Sequence, residues 1–415
     1  MAIVKPVQAY RYTSKAGDPE SLLTQPYDKI GSELQAKYLA ASPYNLVRII
    51  LGERFASDNE SDSVYTRAAK HLTDWIRDGI LAQDEAPGFY AYSQDFEVPD
   101  TGERASRSGF IGIGKVEDYS ANIVFRHERT LSGPKKDRLE LLRHAHAHFG
   151  QIFMLYPDPD GDVDKVLEEG RLLAGDKPLL DICDDYQARH RLWGVTHPAP
   201  VAVIQDLMAD KKLLIADGHH RYETALAYHK ENPGTPAAEY VMMTFVNMHS
   251  PGLKILATHR VLRNLSGFDD AAFFKKAEAG WRIAQFGSLD ELRNEMRSRG
   301  AGKVRIGVVT AGEFHLLERD RKDGELDVPV LHKEILAGLL GIGEEAVRDE
   351  KHIAYIRGMQ AAVAEVRDKG AQMAFLLEPT PIDDMARIAF SGGVMPQKST
   401  DFYPKLLSGV TIYRL

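Results

Sequence analysis

Asp217, Gly218, His219, His220 and Arg221 stand side by side in this chain. Together they offer a carboxylate, a flexible backbone position, two imidazoles and a guanidinium, a set suited to proton transfer and to gripping an oxyanion. Imidazoles titrate near neutral pH. A guanidinium presents a planar fork of donors that matches phosphate or carboxylate, and glycine lets a ligand come close to the backbone. Lys212 to Ala216 is a short apolar run that reads as a strand, and Tyr222, Ala225, Leu226 and His229 recur at the spacing of a helix over 220–229. A strand that bends through glycine into a helix leaves unpaired backbone N–H groups at the positive end of the helix dipole, where anions settle. Asp217, His219 and His220 are therefore candidate catalytic groups, and Gly218 and Arg221 candidate phosphate ligands. Asp217 also reads as a simple helix cap and one histidine as a packed core residue. Burying so many polar groups at one corner is nevertheless costly without a ligand.

Other polar constellations could complete such a site. His127-Glu128-Arg129-Thr130 runs into Gly133-Pro134-Lys135-Lys136. Here Glu128 or His127 fits a general base or metal ligand, and His127 and Lys135 fit phosphate contacts. Thr258-His259-Arg260 lies between apolar stretches, so His259 and Arg260 are candidate substrate contacts from another strand. Lys398, Ser399 and Thr400 follow a glycine pair and suggest an anion clamp, although the spacing is not that of a Walker loop. Asp28, in the turn Gln25-Pro26-Tyr27-Asp28, is a candidate contact for a substrate amine or a cation. His144, His146 and His148 fall in a stretch expected to be helical over 137–149, which puts His146 off the face shared by the other two; they read as structural or solvated.

Bulk composition narrows the class. The chain has 415 residues, 44% of them hydrophobic, and a net charge of -8, enough for two or three domains with real cores. The acidic balance, with no evident helix-turn-helix, argues against a nucleic-acid surface. The single cysteine, Cys183, excludes an internal disulfide and a cysteine-rich metal site; its apolar neighbours make it an expected core residue. The opening MAIVKPVQAYRY carries no long apolar stretch, and no segment is long enough to cross a membrane, so a cytoplasmic protein without membrane partners is expected. Helices are expected over 61–81, 162–173 and 201–208, a hairpin over 88–116, and strands over 151–156, 189–195 and 239–248. Past residue 265 the pattern changes to helices over 269–279 and 289–299 and a hairpin over 304–317. The expected division is 1–125, an α/β region with the hairpin; 126–264, the core carrying the corner; and 265–415, a further α+β region. The fold class is α+β.

The stretch IADGHHRYETALAY, with QPYDKI, HERT, GPKKDRLELL, QIFMLY, HRLW, GLKILATHRVL and MPQKSTDFYPKLLSGVTIYRL in the same order, resembles the bacterial and archaeal family called domain of unknown function 1015. The corner alone also resembles the ParB and sulfiredoxin superfamily, which includes free-serine kinases. That second resemblance implies a core that binds nucleotide phosphates at a helix start. The reactive cysteine of a sulfiredoxin is missing from the corner.

Three functions follow from these readings. The first is a phosphotransferase that moves phosphate from ADP or ATP, with magnesium, to a small hydroxy metabolite such as serine. The second is a metal-assisted phosphohydrolase of a phosphorylated amino acid or similar metabolite. The third is a nucleotide-binding switch without small-molecule turnover. The metal ligands and oligomeric state are open, a homo-oligomer being compatible with all three.

Overall fold

The computed structural model describes residues 1–99, 101–128, 132–297, 302–396 and 398–415, without the side chains of 132–134 and 348. The chain forms two compact units. One comprises Met1–Val98, Glu103–Lys254 and Pro404–Leu415, the other Pro99–Gly102 and Ile255–Tyr403. Among the described residues no helix is long and apolar enough to cross a membrane.

The first unit is built on a mixed sheet whose nine described strands are β1 (Val4–Lys5), β2 (Phe89–Glu97), β3 (Arg104–Lys115), β4 (Val124–Arg126), β5 (Ile152–Tyr156), β6 (Leu180–Cys183), β7 (Arg189–Val195), β8 (Leu213–Asp217) and β9 (Tyr240–Asn247). Their spatial order is β4-β8-β5-β9-β3-β2-β7-β6, with β1 added on β3. The pairs β4/β8 and β5/β9 are parallel, the others antiparallel. Every residue of β5 is buried, as an unbroken apolar run requires when both faces of a strand are covered. The hairpin expected over 88–116 is β2 and β3, and it shares this sheet with the strands around the corner. The expected cut after residue 125 therefore runs through one sheet.

Helices α1 (Val64–Arg77), α2 (Ser132–Ala145), α3 (Asp162–Leu173), α4 (Pro198–Ala209) and α5 (His219–Glu231) accompany the sheet. Ser63 and Thr66 close a reciprocal capping box on α1, which is why that helix starts at Val64 and not at the expected residue 61. Tyr222 and Ala225 of α5 pack with Phe110, Met154, Ile215 and Phe245 of the sheet. Leu72 and Trp75 of α1 pack with Leu141 of α2, Phe149 and Ile412.

Two local expectations are corrected. The helix expected to reach Phe149 ends at Ala145, because His146 turns into the left-handed region (φ 48°) and a two-residue strand, Ala147–His148, pairs with Tyr413–Arg414. Cys183 is exposed, not core. On edge strand β6 Leu180 and Ile182 share the inner face, half-buried and buried, and the two-residue period of a strand turns Asp181 and Cys183 to solvent.

The second unit holds a six-stranded antiparallel sheet: β10 (Thr258–Leu262), β11 (Arg282–Phe286), β12 (Lys303–Val309), β13 (Phe314–Asp320), β14 (Ile353–Arg357) and β15 (Met373–Leu376), in the order β11-β13-β12-β15-β10-β14. Helices α6 (Asp270–Ala277), α7 (Leu289–Arg297) and α8 (Met359–Arg367) pack on it. The expected hairpin over 304–317 is β12 and β13. Of the helix expected over 289–299, residues 298 and 299 lie outside the described residues. β10 belongs to this unit, so the change of character comes near residue 255, before the expected 264.

Candidate functional site

The bend expected at residues 217–221 is present. β8 ends on Asp217, Gly218 takes φ 92° and ψ 26°, and α5 begins at His219. The positive φ is one that residues with a Cβ rarely adopt, and the site also leaves no room for one. A Cβ on Gly218 would stand 2.9 Å from both Nε and Nη2 of Arg221, whose guanidinium folds back over the glycine. The first helical hydrogen bond runs from the Tyr222 N–H to the Gly218 carbonyl. Among the described residues no side chain caps α5.

Asp217 is thus not a cap. Its carboxylate bridges two cations: Oδ2 accepts from Nη2 of Arg221 at 2.8 Å, and Oδ1 from Nζ of Lys405 at 3.0 Å. Burial by itself would raise the Asp217 carboxyl, but Lys405 and Arg221, with Lys29 in support, hold it well below the usual carboxylate range. A carboxylate so stabilised is a poor base and a good anchor. Arg221 is pinned from the far side as well, donating Nη1 to the carbonyl of Gln151 at 2.5 Å.

The parallel pairing of β4 on β8 brings in His127 and Glu128. Nδ1 of His127 lies 2.7 Å from the Ile215 carbonyl; since a carbonyl only accepts, that nitrogen carries the proton. Nε2 of His127 stands 3.6 Å from Oε1 of Glu128. The His127 ring meets the His219 ring edge to face, centroids 4.8 Å apart. Burial, then His127, push His219 down to about 3, so it is neutral at physiological pH. Its Nε2 is buried with no hydrogen-bond partner among the described residues. His220 is half-buried in the first turn of α5.

The other expected residues have partners of their own. Asp28 is exposed on the short turn Tyr27–Lys29, whose Lys29 reaches Asp217 electrostatically. Lys135 is ion-paired with Glu223 of α5, which also receives Arg126; a carboxylate of the protein holds its ammonium. Arg129, Thr130 and Gln397 lie outside the described residues. His259, Arg260, Lys398, Ser399 and Thr400 belong to the second unit. There the Leu377 N–H donates to Nδ1 of His259 at 3.2 Å, and Arg260 donates to the carbonyls of Thr258 and, at 3.0 Å, Lys398. Ser399 Oγ donates to the Pro396 carbonyl at 2.6 Å. Lys398 is exposed and Thr400 half-buried. His144, His146 and His148 serve three different partners: the Glu140 carbonyl, the Tyr228 hydroxyl and the Tyr413 ring.

Sequence reasoning missed Lys405 and the residues that aim it. Gln94 Nε2 donates to the Lys405 carbonyl at 2.9 Å, and Arg107 donates to the Pro404 carbonyl at 2.6 Å and to Gln94 Oε1. Arg107 is 1% exposed, with its guanidinium over the Phe153 ring. A signal for Lys405 was present. It is the lone charge in the apolar run Phe402–Leu407, and a charge buried among apolar neighbours needs a counter-charge.

The fold and this corner describe a mixed α+β protein with a half-buried carboxylate clamped between two cations at the start of a helix. The chain belongs to the family described as "Protein of unknown function (DUF1015)", which matches residues 4–336. No curated protein matches it. Among solved structures it is similar to a mutant form of free serine kinase in complex with ADP (11% identity, 68% of this chain and 84% of that one, TM-score 0.37). It is also similar to a conserved hypothetical protein from Pyrococcus furiosus (10%, 69% and 91%, 0.37) and to C-terminally truncated SbnI from Staphylococcus aureus (10%, 72% and 85%, 0.36).

Proposed function

We propose that this protein binds a nucleotide by its phosphates at the Asp217–Arg221 bend and transfers a phosphoryl group to a small hydroxy metabolite, serine being the first to try. The observation that carries the reading is the uncapped start of α5 behind a positive-φ glycine, with Arg221 and Lys405 on one carboxylate beside it. Such a helix start offers N–H donors and the positive dipole end to an oxyanion.

In this reading Asp217 does not accept the hydroxyl proton; it holds Arg221 and Lys405 in place, and these stabilise charge on the transferring phosphoryl group. Glu128 takes the proton, next to His127, and neutral His219 orients the reactants through its unpartnered Nε2. Magnesium, if it takes part, would be held by the nucleotide phosphates and water, since both Asp217 oxygens are engaged by cations and Glu128 serves as base.

ADP or ATP should raise the melting temperature of the protein, and Arg221→Ala should remove that rise. A wild-type protein whose melting temperature ignores every nucleoside di- and triphosphate, with and without magnesium, would sink the proposal.

A further inference from the structure

Arg221 has a second face. Behind it lies a cavity of about 70 Å³, bounded by Arg138, Arg221, Thr224 and Ser408 on the polar side and by Tyr27 and Phe149 among its apolar walls. Its volume suits a handful of water-sized groups. Thr224 is 5% exposed, and its hydroxyl has no hydrogen-bond partner among the described residues. A buried hydroxyl left that way is expensive unless something occupies the space in front of it.

The cavity is kept open by Gly150. A Cβ there would stand 3.1 Å from Ser408 Oγ and 3.2 Å from Arg221 Nη1, so any larger residue would fill the gap between them. Among the described residues, the walls carry two guanidinium groups and no carboxylate. A guanidinium has five N–H donors. Among the described residues, Arg138 uses three donor contacts, two on Asp137 and one on the Ile50 carbonyl. Arg221 uses two, on Asp217 and the Gln151 carbonyl. Both keep donors in hand, and burial holds His148 of the same wall down at about 4, so it is neutral.

We propose that this cavity is the acceptor-substrate site and takes the carboxylate end of a three-carbon hydroxy acid. Arg138 and Arg221 receive the carboxylate, Thr224 and Ser408 complete its hydrogen bonds, and the apolar walls receive the carbon chain. Serine and glycerate share that chemistry. The inference rests on the phosphoryl-transfer reading, because it places the acceptor next to the arginine assigned to the donor phosphates.

Calorimetric titration of the full chain with D-glycerate, L-serine and L-lactate, and separately with ADP, tests it. At least one of the three acids should bind. Thr224→Val should weaken that binding about tenfold, as loss of one hydrogen bond to a charged group does, while the ADP affinity stays where it was. Should Thr224→Val fail to fold, Thr224→Ser should fold and keep the affinity, and Ser408→Ala should lower it. Comparing glycerate with serine tells whether the site accepts the ammonium. If ADP binds and none of the acids does, or if the acid binds indifferently to these substitutions, the cavity assignment is overturned and the nucleotide reading survives. If an acid binds in the expected way and ADP does not, the cavity stands as a hydroxy-acid site, and both the nucleotide reading and the acceptor role are overturned.

Discussion

Nζ of Lys405 lies 3.0 Å from Oδ1 of Asp217, across 188 residues of sequence, with 8% of the lysine side chain exposed. This ion pair closes the corner with a group from the end of the chain. Removing one partner of such a pair leaves a charge poorly compensated. Lys405→Met should lower the free energy of unfolding by about 3 kcal/mol in urea titrations at pH 7. The carboxyl of Asp217 is depressed by its cations, so its stabilising contribution is present above the ordinary aspartate value and lost as pH falls toward the lower folded value. The stability difference between wild type and Asp217→Asn should accordingly stay level above about pH 5 and shrink below about pH 4.

Gly218→Ala forces a Cβ into a positive-φ position and against the Arg221 guanidinium. The backbone term alone should cost about 1–2 kcal/mol. The displaced arginine should also weaken nucleotide binding, read as a smaller rise in melting temperature with ADP. A variant that loses stability yet keeps the full nucleotide response would detach Gly218 from the site.

Arg107 holds the backbone that presents Lys405 and lies within electrostatic reach of Asp217. Arg107→Met strands the Pro404 carbonyl and the Gln94 amide oxygen in the interior, at a cost of about 3 kcal/mol. It should also reduce the response to ADP. Arg107→Lys should restore part of the stability but less of the response, because a lysine lacks the planar fork that spans both acceptors.

His219 is held neutral in the fold, its value pushed from 6.5 to about 3. Between those values the unfolded chain binds a proton that the folded protein does not, so stability falls as pH is lowered through that window. One proton corresponds to about 1.4 kcal/mol per pH unit. His259 and His332 are depressed the same way, so the wild-type slope sums several groups. His219→Gln should reduce the slope by one proton between pH 6 and 4 in urea titrations. An unchanged slope would show that His219 is accessible to protons in the folded state.

Cys183 is exposed on an edge strand. Native protein should consume one equivalent of a thiol reagent rapidly, without denaturant. Protection until unfolding would place that residue in the core after all.

The sequence by itself determined the backbone of the corner. An apolar run, a glycine and helix-spaced residues after it specify strand, bend and helix through local sterics and periodicity, and the bend formed where those residues required it. The α+β class and the positions of β5, β7, β9, α3 and α5 were legible for the same reason. The tertiary structure alone decided which side chains meet. Lys405 and Arg107 reach the corner because sheet pairing and the returning C-terminal segment bring them there. Lys135 is drawn to Glu223 because α2 packs beside α5. His146 ends its helix to reach Tyr228, and the outward face of β6 exposes Cys183. Periodicity encodes the conformation of each segment, but the partner of a buried charge depends on which segments become neighbours. That is settled only when the whole chain has folded.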